Sequence, residues 1–292
     1  MTSSLPQPTA PFEGTQGYIV ADSTPSPLTI TKAPKGAPNI VLILLDDVGF
    51  GTCGTFGGPV PTPALDRVAA HGLRFNQFHT TALCSPTRAA MLTGRNHHTV
   101  HMGGIPEGAN VFPGYDSIIP KEAASVAEIL KQSGYSTGAF GKWHLAPLWE
   151  QTLAGPFDRW PTGLGFERFY GFLGGETDQY HPDLVYDNHQ VDPPRTPEQG
   201  YHLTEDMADK AELFINDLRA AHPEKPFFMW FAPGACHAPH QAPKSFIDAY
   251  RGKFDHGWDA WREEVFARQK KSGLLPSDTV LSERPHWVPE WA

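Results

Sequence analysis

Four short clusters in the chain have residue types and spacing able to do chemistry. The first is Asp46-Asp47, directly after the apolar run Ile40 to Leu45. Two adjacent carboxylates at the end of a buried strand repel one another and are costly to desolvate unless something positive compensates. A hard divalent cation with oxygen ligands, Ca2+ or Mg2+, is such a partner. A solvated turn with one Asp capping the loop is the plainer alternative. The second cluster is Cys84-Ser85-Pro86-Thr87-Arg88, continuing as AAMLTGR. Ser85 as N-cap and Pro86 at the first helical position predict a helix starting just after the cysteine. Cys84 then sits beside the positive end of that helix, with Arg88 about one turn on. A bare thiol in that place is acidic and reactive. Cysteine-phosphatase chemistry needs an arginine six positions after the cysteine, where Ala90 stands. A buried core cysteine is the alternative, which the polar and turn-forming followers fit poorly.

Lys142 and His144 make the third cluster, just after a predicted strand that ends near Phe140. Residues two apart on an extended segment point the same way, so a cation and an imidazole can face one pocket. A surface lysine beside a core histidine is the competing reading. The fourth is His237, at the end of PFFMWFAPGAC. His97, His98 and His101 invite a zinc reading, but a hard-cation site does not need them, and they are assigned to the pocket wall. His240 is assigned to loop structure.

The elements that must position these groups alternate between strand and helix. Asn39 to Leu45 reads as a strand buried on both faces, as in the middle of a parallel sheet. A helix is predicted over Pro63 to His71, a strand over Leu73 to Phe78, and a helix from Ser85 to Thr93. Ser125 to Gln132 reads as a helix and Tyr135 to Phe140 as a strand. Leu203 to Ala221 is amphipathic, with Met207, Ala211, Phe214 and Leu218 near one stripe. Pro226 to Ala232 is another buried strand. Residues 145–202 read as a Gly/Pro-rich excursion, and 254–292 as a Trp-rich, partly helical tail. The alternation predicts an α/β fold with a mostly parallel sheet, and three of the four clusters fall at strand ends, where such sheets place ligands.

Composition narrows the classes. The chain has 292 residues, 40% hydrophobic, with a formal net charge of -9 and no Lys/Arg run longer than Lys270-Lys271. A nucleic-acid footprint is therefore not expected. Three cysteines give no disulfide framework. No run is long enough to span a bilayer. The first residues lack the basic and apolar regions of a signal peptide, so a cytoplasmic location is expected. Residues 1–37, rich in Pro, Ser and Thr, read as a loosely ordered arm before a single catalytic domain over 38–292.

The pentad with its AAMLTGR continuation resembles the C-x-P-x-R signature of the formylglycine-dependent (type I) sulfatases. Strand–Asp–Asp, the pentad, Gly141-Lys142-Trp143-His144 and Cys236-His237-Ala238-Pro239-His240 follow in that family's order and approximate spacing. GTCGTFGG and GRNHHTVHMGG bring the likeness nearest to large bacterial arylsulfatases. The resemblance implies an alkaline-phosphatase-like sandwich, a mostly parallel sheet flanked by helices, and hydrolysis of aryl or alkyl sulfate esters. It implies that a separate maturation enzyme converts Cys84 to formylglycine, whose hydrate is the nucleophile. Asp46, Asp47 and residue 84 would bind Ca2+ or Mg2+. Lys142 and Arg88 would hold sulfate or formylglycine oxygens, His144 would orient the gem-diol or take its proton, and His237 would protonate the leaving oxygen.

Sulfatases of this type add a later Asp-Asn pair after a buried strand, and a second lysine. No such strand follows His237, and the only Asp-Asn, Asp187-Asn188, lies in the polar stretch VYDNHQV. The expectation is thus a fold incomplete at its C-terminal side, with too few oxygens for calcium and apolar surface left open at a sheet edge. A catalytically incompetent or complementation-dependent fragment is the alternative to an active sulfatase. A phosphate or phosphonate monoester hydrolase using the same residues is a third reading.

Overall fold

The computed structural model describes residues 11–28 and 30–291. Of the expected arm, residues 1–10 and 29 lie outside the described residues. Six strands form one sheet: β1 (Ile40–Ile43), β2 (Ser136–Lys142), β3 (Arg168–Phe172), β4 (Val185–Tyr186), β5 (His189–Gln190) and β6 (Phe227–Ala232), in the spatial order β1-β6-β2-β3-β4-β5. The first four in that order are mutually parallel, and β4 and β5 add an antiparallel hairpin. The expected mostly parallel α/β sheet is present.

Apolarity alone does not rank the strands by burial. β1 reads Ile-Val-Leu-Ile yet occupies the edge, and its alternate residues Val41 and Ile43 are 50% and 53% exposed. The expectation of a strand buried on both faces is corrected: side chains alternate between the two faces of a strand, and the face that carries Val41 and Ile43 is left exposed. β2, with the modest sequence STGAFGK, is buried at every position because β6 and β3 flank it. Its Gly141, at φ 108, is required: a Cβ there would come within 2.2 Å of the Ala232 carbonyl oxygen on β6. Within the 145–202 excursion, β3 pairs with β2 in register Ala139–Phe169 through Lys142–Phe172. This segment completes the sheet instead of leaving it.

The chain divides into two compact units, one of residues 1–44 and 82–234, the other of 45–81 and 235–292. In the first unit, helices α2 (Cys84–Thr93), α3 (Val126–Gln132) and α4 (Leu203–Ala221) accompany the sheet. One core gathers Leu92, Trp143, Trp160, Phe166, Phe228 and Trp230, and a second gathers Phe140, Phe172, Met207, Phe214 and Met229. α4 buries the stripe predicted for it, except that Leu218 is only partly covered. Inside the second core, Tyr170 and Tyr201 both donate to one buried carboxylate oxygen of Asp206, at 2.6 and 3.1 Å. The Asp187-Asn188 pair forms the turn between β4 and β5, Asp187 taking φ 52 as such turns demand. Its carboxylate accepts from the Phe169 amide at 2.9 Å.

The second unit contains α1 (Pro63–His71), α5 (Lys244–Ala249) and α6 (Gly257–Lys271). Polar ties to backbone hold it: Arg268 Nε donates to the Gly57 carbonyl at 2.8 Å, Gln269 Nε2 to that of Phe56 at 2.9 Å, and Asn76 Nδ2 to that of Leu274 at 2.7 Å. The strand expected at Leu73 to Phe78 is absent. Leu73, Phe75 and Phe78 are largely exposed, so the apolar alternation has no partner strand on which to form. Among the described residues no helix is long and apolar enough to cross a membrane.

Candidate active site

In the first unit, β2 and α2 bring one set of the expected residues together. α2 begins at Cys84 itself, with Leu83 extended in the cap position, two residues earlier than Ser85 as cap and Pro86 as first helical residue predict. Ser85 instead lies within the first turn, and its hydroxyl donates to the His144 carbonyl at 2.6 Å. Thr87 donates back to the Leu83 carbonyl at 2.9 Å. Arg88, one turn on and 1% exposed, donates through Nη1 to the Lys142 carbonyl at 2.6 Å. The bonds to the Lys142 and His144 carbonyls tie the start of the helix to the end of β2 and the residues just after it.

His144 meets the cysteine by a route that strand alternation did not foresee. β2 ends at Lys142, and His144 turns to φ 56, in the left-handed region that non-glycine residues rarely occupy. Its amide still pairs with the Leu173 carbonyl at 3.0 Å. The ring lies with Nδ1 3.1 Å from Cys84 Sγ. Burial lowers the histidine to about 4, and the positive charges of Lys142 and Arg88 add to the shift against the pull of Glu107. The imidazole is therefore neutral at neutral pH. Lys142 is itself buried.

Glu107 was not found by sequence reasoning. Its carboxylate faces His144 Nε2, with Oε2 at 2.8 Å and Oε1 at 3.1 Å. Burial pushes this carboxyl up, but the hydrogen bond and charge of His144, with Lys142 nearby, hold it below its usual range. It stands in a loop 37 residues before His144, and no periodicity couples the two. Gly175 was missed for the same reason: a Cβ there would come within 2.8 Å of the His144 ring.

The second unit holds Asp46, Asp47 and His237. Asp46 is buried, whereas the Asp47 side chain is 63% exposed and its backbone is left-handed at φ 56. The Cys236 amide donates to the Asp46 carbonyl at 3.2 Å. His237 approaches Asp47 Oδ2 only to 3.9 Å through Nε2, while its Nδ1 donates to the Ala238 carbonyl at 2.8 Å. His240 donates to the Cys236 carbonyl at 3.1 Å. Elsewhere, His97 pairs with the Met102 carbonyl, His98 with the Tyr115 hydroxyl, and His101 with Asp116. Among the described residues, no three His, Cys, Asp or Glu side chains gather to hold a metal. Two carboxylates fall short of the six to eight oxygens that calcium takes.

Comparison with known proteins gives this arrangement a family. The sequence model of the sulfatase family matches residues 38–282. An uncharacterized sulfatase of Schizosaccharomyces pombe is 32% identical over 85% of this chain and 47% of its own length. An arylsulfatase of Klebsiella aerogenes is 30% identical over 87% of this chain and 54% of its own. Human arylsulfatase A is 36% identical over 74% and 45%. The chain thus spans about half the length of these relatives. A structure solved in complex with its substrate D-glucosamine-2-N,6-O-disulfate superposes with a TM-score of 0.56 at 27% identity, over 74% of this chain and 38% of that one. A Pseudoalteromonas sulfatase shares the fold at a TM-score of 0.56 and 22% identity, over 82% and 52%. With the pentad at the head of α2, the family match along most of its length and the shared fold, the chain belongs to the sulfatase family.

Proposed function

We propose that the chain carries the nucleophile-bearing part of a sulfuric ester hydrolase acting on small aryl or alkyl sulfates. The observation that carries this reading is Cys84 at the first position of α2 with the neutral His144 imidazole 3.1 Å away. Sulfatases generally use a formylglycine and a divalent metal. An aldehyde made from Cys84 by a maturation enzyme, once hydrated, supplies one hydroxyl to attack sulfur and a second whose deprotonation expels sulfate. In that conversion Cβ of residue 84 becomes the hydroxyl-bearing carbon, and oxygen takes the place of Sγ.

The chain's own residues then divide the work. The amides at the start of α2 and the Arg88 guanidinium favour negative charge beside residue 84. Lys142 adds a second buried cation for sulfate oxygens. His144 Nδ1 orients the residue-84 hydroxyl or takes its proton. His237 is the proposed proton donor to the leaving oxygen. Asp46 and Asp47, with residue 84, are the proposed holders of Ca2+ or Mg2+. The described residues do not by themselves complete a cation shell.

A complementation-dependent chain is the second reading. Two observations favour it: among the described residues no three metal-ligating side chains gather, and Val41 and Ile43 of β1 are exposed. Turnover of an aryl sulfate, against the matched phosphate ester, by the chain co-expressed with a formylglycine-generating enzyme in Ca2+ tests both. Sulfate turnover by the chain alone supports the first reading and removes the second. Preference for the phosphate ester would overturn the substrate class.

A further inference from the structure

Glu107 occupies a built position. Its loop is pinned by the His101–Asp116 pair at 2.9 Å, the Ser117 amide on the His101 carbonyl at 2.9 Å, and the Gly103 amide on that of Gly114 at 2.8 Å. The imidazole it faces is 3% exposed at its side chain and fixed on both sides of its backbone, by Leu173 and by Ser85. Gly175 leaves the space: a Cβ there would lie 2.9 Å from His144 Nε2 and 3.3 Å from Glu107 Oε1. The ring therefore has one seat, with Nε2 toward the carboxylate and Nδ1 toward residue 84.

We infer that Glu107 is a positioning residue that fixes His144 as its Nε2–H tautomer and keeps the Nδ1 lone pair aimed at residue 84. An ionised carboxylate can only accept, so a bond at 2.8 Å requires Nε2 to carry the proton. A neutral ring has one such proton, which leaves Nδ1 an acceptor. The Cys84 thiol then donates to it across 3.1 Å. Sequence distance hides this, but the order thiol–imidazole–carboxylate follows the general logic of a nucleophile, a base and a group that orients the base. The role in turnover rests on the proposed sulfatase reading. There, the O–H bond at residue 84 breaks as an Nδ1–H bond forms, and the doubly protonated ring is stabilised by the Glu107 charge.

The tautomer can be read without turnover, by imidazole 1H–15N correlation spectra of the full chain labelled with 15N-histidine. His144 is assigned by the signal that disappears in His144→Asn. The expected wild-type spectrum places the ring proton on Nε2, downfield and protected from exchange. In Glu107→Ala that proton moves upfield and exchanges faster; Glu107→Gln, of the same shape, gives the same direction should Ala fail to fold. A ring proton on Nδ1 in the wild type overturns the inference, as does an unchanged Nε2–H signal in the folded variants. In the formylglycine form, the same variants lower kcat about 10- to 1000-fold while KM stays within about 2-fold. Normal kcat in the variants would also overturn the role. A wild-type protein with no turnover but the expected spectrum would instead count against the proposed function alone.

Discussion

The two sets of site residues are held in different ways. Around Cys84, each polar contact is short and mostly buried: Ser85 to His144 at 2.6 Å, Arg88 to Lys142 at 2.6 Å, Glu107 to His144 at 2.8 Å. Around Asp46 and Asp47, the Asp46 carbonyl accepts from the Cys236 amide at 3.2 Å, and His237 stands 3.9 Å from an Asp47 carboxylate that is largely exposed. The difference teaches that the nucleophile and its base are ordered by the fold of their own unit. The acidic pair differs within itself: Asp46 is buried, whereas the Asp47 carboxylate is largely exposed.

Perturbations that report on stability sharpen this contrast. The largest effect is expected from pH. His144 in the folded chain is lowered to about 4, so as pH falls through its ordinary range the unfolded chain takes up a proton that the folded one refuses. Stability is full above that range and declines toward pH 4, by at most about 3 kcal/mol from this group. Glu107, also lowered, loses its contribution as pH falls through its folded value, in the same direction. Denaturant unfolding of the wild type and His144→Asn at about pH 7 and about pH 5 should show a shallower pH dependence in the variant. Equal slopes would mean that the ring is not buried and neutral.

A smaller loss is expected for Ser85→Ala, which leaves the His144 carbonyl without its hydroxyl donor: about 2 kcal/mol by chemical denaturation. The smallest belongs to the acidic pair. Asp47→Asn should change stability by less than about 0.5 kcal/mol, because its carboxylate is exposed and its partner is distant. A loss there as large as that of Ser85→Ala would erase the contrast between the two sets.

Much of this was legible in the sequence, for identifiable reasons. The pentad, the helix Leu203–Ala221 and the strand Phe227–Ala232 carry strong local patterns that the structure keeps, with the start of α2 moved by two residues. The burial of β1 was misjudged because it depends on what covers each face of the strand, which apolarity does not encode. β3 hid in a Gly/Pro-rich stretch and is recognisable only beside β2. Glu107 and Gly175 were invisible because their partner is a ring brought to them by tertiary structure, through a left-handed residue that no period predicts.

The central claim is that Cys84 is the precursor of the reacting group, and mass spectrometry of its peptide tests it most directly. After co-expression with a formylglycine-generating enzyme, the peptide should show the mass loss of CH2SH becoming CHO at residue 84, with Cys53 and Cys236 unchanged. An intact thiol at residue 84 under those conditions would contradict the account.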